Sequence, residues 1–174
     1  GSATSSIGAI TARDNATIDG HFAFDQGTIR NITFQDSASM TGNISLANSA
    51  KITNGITIGG NSSGGSGNNA TLAGNISLID NARIQGGIVL ANSANMTGNI
   101  FLSTENGGGN ITIDSINIGN GSTMTGDISV VGNSKITDTI TIDGTLDGNV
   151  SAIWNTGGNG TINQMDISGV ITQK

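Results

Sequence analysis

The chain has 174 residues, 10% charged and 34% apolar, with 28 Gly and no Pro, Cys or Tyr. Six Lys and Arg against twelve Asp and Glu leave a net charge of −6, so no basic stripe exists to displace counterions from a nucleic acid. The lack of Cys removes disulfides and thiolate metal sites, and the apolar residues are too many and too regularly placed for a disordered chain.

No apolar run reaches the roughly 18 residues of a membrane helix, so membrane insertion by this segment is not expected. Gly1-Ser2 reads as a tag remnant. Residues 3–174 read as one unit, a segment of a longer protein.

Taken in order, the chain repeats a degenerate unit of twelve residues. Residues 6–12 read as the end of one unit. Residues 13–24 form a full unit with Ile18, Gly20, Phe22 and Phe24 in register, and 25–34 a unit shortened by two. Residues 35–46 (QDSASMTGNISL) and 47–58 (ANSAKITNGITI) agree in kind at almost every position: Met40 answers Ile52, Thr41 answers Thr53, Ile44 answers Ile56, Leu46 answers Ile58. The unit resumes after a Gly/Ser/Asn insertion at 59–68, is regular through 79–102, and is interrupted again at 104–110. It is regular through 119–142, short at 143–152, and broken a third time at 155–160.

Within a unit the alternation is that of a strand. Met40, Gly42, Ile44 and Leu46 share one parity and are assigned inward; Thr41, Asn43 and Ser45 share the other and are assigned outward. Thr-Gly, Asn-Gly and Ala-Asn-Ser-Ala steps supply corners, because Gly, Asn and Ser tolerate the backbone conformations that corners need. One such unit cannot fold alone. Three inward apolar side chains contribute at most about 9 kcal/mol, whereas ordering twelve residues costs about 18 kcal/mol. Stacking must supply the difference, with parallel pairing between coils, like residues in rows, and Asn at corners forming amide ladders. The expected fold is all-β, a right-handed parallel β-solenoid with one and a half to two units per coil. Insertions at corners then leave the downstream register intact.

Catalytic equipment is sparse. The Asp pairs 14/25, 127/138 and 143/147 are close enough in sequence to converge, but no Arg, Lys or His accompanies them in the same row. Single Asp residues in a solenoid read as corner or solvated groups, and no catalytic residue is assigned. His21 is the only His; it has outward parity and no second imidazole or thiolate with which to hold a metal. GGNGTINQM (157–165) is similar to a glycine-rich calcium nonapeptide but has Thr161-Ile162 where an Asp belongs. No metal and no cofactor are expected.

The outward row reads Ser45, Thr57, Ser77, Val89, Phe101, Thr112, Asn117, Ser129, Thr141. Val89 and Phe101 interrupt an otherwise polar row, which makes them candidates for an apolar contact patch. Trp154, the only Trp, stands beside the third glycine loop as a further candidate contact. Plugging the end of a core row is its plainer reading.

Runs such as MTGNISLANSAKITNGITI and MTGDISVVGNSKITDTITI resemble passenger domains of Gram-negative autotransporters and the related β-helical adhesins secreted by a two-partner route, including those of Helicobacter and Campylobacter relatives. The likeness spans residues 6–174 and lies in composition and repeat style. It implies a right-handed β-helix on the bacterial outer-membrane surface or in the extracellular space, with a membrane β-barrel following in the whole protein. The resulting expectation is a non-enzymatic structural and adhesive virulence module. Its partners would be a host-cell surface or glycan, or other copies of itself, stacked along or end to end. An oligomerising segment like that of vacuolating cytotoxins is the alternative, and a glycan-cleaving β-helix the third.

Overall fold

In the computed structural model, residues 5–60, 69–104, 109–155 and 158–173 are described. Among them every regular element is a β-strand. The strands stack in parallel as a β-solenoid of about six turns. A short antiparallel pairing of Val150–Asn155 with Gly158–Asn159 departs from that pattern. Three sheets result, here called A, B and C, of ten, seven and seven strands.

Each coil consumes two of the twelve-residue units. Residues 35–46 supply a strand to sheet B (Ser39–Thr41) and one to sheet C (Ile44–Leu46). Residues 47–58 supply two strands to sheet A, Lys51–Ile52 and Ile56–Gly60. Hence Met40 and Ile52, which look equivalent in sequence, lie on different sheets. Met40 stacks between Ile18 and Leu72, and Ile52 between Ile29 and Ile84.

The rows are almost pure. Ile7, Ile29, Ile52, Ile84, Ile113, Ile136 and Ile162 run in one line down sheet A. Ile44, Ile76, Ile100 and Ile128 do so down sheet C. All but Ile7, which is exposed, and Ile162, which is partly buried, are fully buried, and burial of one such side chain contributes about 1.5–3 kcal/mol. In the last described coil Met165, Ile167 and Ile171 continue the rows but are exposed.

Corners fold as the sequence reading expects. Asn48, Asn92 and Ser93 take φ of 53°, 52° and 65°, and the turns close with bonds such as Ala50 N–H to the Ala47 carbonyl (3.0 Å) and Ala94 N–H to the Ala91 carbonyl (3.1 Å). The Ala that follows points into the core: Ala38, Ala50, Ala70, Ala82 and Ala94 are completely buried. Only a small side chain fits where the chain bends so tightly. Gly42 departs from its assigned inward position. It is a corner residue between two strands, so the inward period of two is interrupted there.

The insertions enter at corners. Ser77 stands 32 residues from its stacking partner Ser45, whereas Ser151 stands 22 from Ser129, yet both pairs are in register. The interiors of the loops, at 61–68, 105–108 and 156–157, lie outside the described residues. So does the first residue of the calcium-like stretch; its remainder runs as strands Gly158–Asn159 and Thr161–Ile167.

Candidate contact groove on sheet C

The bend from sheet B to sheet C is made by a glycine followed by a polar residue: Gly20-His21, Gly42-Asn43, Gly74-Asn75, Gly98-Asn99, Gly126-Asp127, Gly148-Asn149. From Gly42 onward the glycine is obligatory, whereas a Cβ on Gly20 would meet nothing within 4 Å. At Gly98 φ is +142°, and a Cβ would lie 2.2 Å from the Gly74 carbonyl oxygen. Without a Cβ the coils can approach closely at this edge.

The residue after each glycine then forms a ladder. Asn43 N–H donates to His21 Nδ1 (2.9 Å), Asn75 N–H to Asn43 Oδ1 (2.8 Å), Asn99 N–H to Asn75 Oδ1 (2.7 Å), and Asp127 N–H to Asn99 Oδ1 (2.8 Å). At the foot, Asp127 Oδ1 accepts from both the backbone N–H (2.8 Å) and Nδ2 (3.1 Å) of Asn149. A backbone N–H can only donate, so each rung must present an acceptor to it. That fixes the amide orientation: the oxygen of each Asn faces the next coil. It also makes His21 Nδ1 the unprotonated nitrogen.

Beside the ladder runs the outward column of sheet C: Ala23, Ser45, Ser77, Phe101, Ser129, Ser151. Ser77 Oγ bonds Ser45 Oγ (3.0 Å), and Ser151 Oγ bonds Ser129 Oγ (3.2 Å). Phe101 stands between these pairs, 38% exposed. Its ring is much larger than the Ser on either side. Together Asn43, Asn75, Asn99, Asp127, Ser77, Ser129 and Phe101 line a groove of about 320 Å³.

The three residues singled out from the sequence do not come together. Val89 lies on sheet A, half-buried between Thr57 and Asn117. Phe101 lies on sheet C, so no common patch joins it to Val89. Trp154 sits near the far edge of sheet C and outside the groove. It is 68% exposed and does not plug a core row. The cause is the two-unit coil: positions twelve apart belong to different faces.

The Asp residues of the three pairs bond to hydroxyls, amides and backbone of neighbouring residues. Asp143 accepts from Ser168 Oγ, Asp147 from Thr172 Oγ1, Asp138 from Thr139 Oγ1, and Asp25 from Asn48 Nδ2. The Asp14 N–H donates to Asp36 Oδ2. The Asp147–Thr172 bond joins paired strand residues, and the Asp138–Thr139 bond lies within one strand. Among the described residues no group of three or more His, Cys, Asp or Glu could hold a metal ion.

No family model, curated protein or solved structure matches this chain. The sequence likeness to autotransporter passengers therefore rests on repeat style. Of the groove residues, sequence reasoning assigned only Phe101 to a site; it missed Asn43, Asn75, Asn99, Asp127, Ser77 and Ser129. For Asn43, Asn75, Asn99 and Asp127 the signal was available: Thr-Gly or Ala-Gly followed by Asn-Ile or Asp-Ile recurs at 41–44, 73–76, 97–100 and 125–128 and is missing from the units between them, which marks one corner of a two-unit coil.

Proposed function

We propose that this segment is a non-catalytic structural and adhesive rod, carried on a bacterial outer surface, that contacts its target through the groove on sheet C. The stacked rows give a stiff body, and the polar outer faces keep it in solution. The observation that carries the reading is Phe101. It is a large apolar ring on a column otherwise built from Ser and Ala, beside amides and a carboxylate. A core residue would not be there, and a featureless stalk would not need it. Contacts of this shallow kind gain strength when many rods are displayed side by side. An oligomerising passenger would call for a contiguous apolar face, and Val89 and Phe101 lie on different sheets.

The test uses beads coated with the whole chain and applied to cultured epithelial cells. Wild type and Val89→Ala should adhere equally, and Phe101→Ala should not. Equal adhesion by all three, or by none, overturns the reading.

A further inference from the structure

The groove carries a definite set of bonding groups. In Asn43, Asn75 and Asn99 the Oδ1 atom is committed to the next coil. The Nδ2 groups have no hydrogen-bond partner among the described residues, so each keeps two N–H donors. They repeat down the ladder at the inter-strand spacing of about 4.8 Å. The Ser77 hydroxyl donates to Ser45 Oγ and keeps lone pairs that can accept. Ser129 accepts from Ser151 and still has a proton to donate. Phe101 breaks the hydroxyl column at the point where those two groups face each other across it. Asp127 has one oxygen engaged by Asn149, and its carboxylate accepts further bonds.

We infer that this groove is a binding site for a neutral glycan laid along the solenoid axis, an assignment that rests on the adhesive reading above. One pyranose ring stacks its C–H face on Phe101, since an aromatic ring is negative on its face and the C–H groups of a sugar are weakly positive. Hydroxyl and acetamido oxygens of that ring and its neighbours accept from the Asn75 and Asn99 amides. A sugar hydroxyl donates to Asp127. The absence of Lys and Arg from the lining residues, the Asp127 charge and the net charge of −6 select against sulfated or carboxylated glycans.

The experiment is a titration of the isotope-labelled whole chain, followed by nuclear magnetic resonance. Triacetylchitotriose and maltotriose are the neutral probes, and a heparin tetrasaccharide is the anionic one. At least one neutral probe should shift the Asn75 and Asn99 side-chain amide signals, with Kd on the order of 1 mM for a single shallow site. Phe101→Ala and Phe101→Ser should each weaken it by about tenfold or more, and heparin should shift nothing at the groove. Silence from both neutral probes, a heparin response at the groove, or undiminished binding by both folded variants overturns the inference. If both neutral probes are silent while bead adhesion still requires Phe101, the glycan assignment falls and the adhesive reading stands. If adhesion is lost as well, both fall.

Discussion

Asn75 holds Asn99 in the corner ladder: the Asn99 backbone N–H donates to Asn75 Oδ1 at 2.7 Å. The bond is on the surface, so its net worth is that of an ordinary hydrogen bond, about 0.5–1.5 kcal/mol. Asn75→Ala should lower stability by that amount in urea unfolding. Asn75→Asp keeps an acceptor at the same place and should cost less.

The glycine before each rung is under a harder constraint. A Cβ on Gly98 would lie 2.2 Å from a carbonyl oxygen in the coil above it, at a φ of +142°. Gly98→Ala should therefore destabilise by about 2–3 kcal/mol. Gly8 is the control: a Cβ there meets nothing within 4 Å, and Gly8→Ala should leave the urea midpoint unchanged or slightly raised.

Among the described residues, one buried hydroxyl has no partner. Ser122 follows Ala38, Ala70 and Ala94 in the corner row, linked by the bonds Thr71 N–H to Ala38, Asn95 N–H to Ala70 and Thr123 N–H to Ala94. It is 1% exposed, and its Oγ makes no hydrogen bond. Ser134, equally buried, donates to the Val131 carbonyl at 2.8 Å. Ser122→Ala removes an orphaned polar group and restores the alanine of the row, so it should stabilise by about 1 kcal/mol. Ser134→Ala should destabilise by a similar amount. Thermal melts of the two variants should move in opposite directions.

Facing decides what a strand position tolerates. Ile56 is fully buried between Ile32 and Ile88, while its neighbour Thr57 looks outward. Ile56→Asp places an unpaired carboxylate in a wholly apolar row, Ile except for Met165, and should unfold the chain or its flanking coils. Thr57→Asp should keep the strand-type circular dichroism of the parent.

The solenoid was legible because its inward positions hold little besides Ile, Leu, Val and Met at a period of two, with Asn, Ser and Gly at the bends. Met40, Ile44 and Leu46 are inward as read. Gly42 was misplaced because the period was carried straight through a corner. The face assignment failed for a related reason. Unit length is half the coil length, so superposing units lays sheet C on sheet A. Ser45 and Thr57 look like one column, and Val89 and Phe101 like one patch, although each pair is split between sheets. The amide ladder was expected as a type. Its particular rungs needed the longer pattern, Thr-Gly or Ala-Gly followed by Asn-Ile or Asp-Ile, which skips every second unit. Trp154 had no repeat to locate it, since it stands beside a loop where the pattern stops.

The central claim is that Phe101 serves contact and not stacking. Phe101→Ser tests it most directly, because Ser continues the column formed by Ser77 and Ser129. The variant should stay within about 1 kcal/mol of the parent in urea unfolding, and beads coated with it should fail to adhere to cells. A variant of parental stability that adheres as well as wild type would contradict the claim, as would one that unfolds.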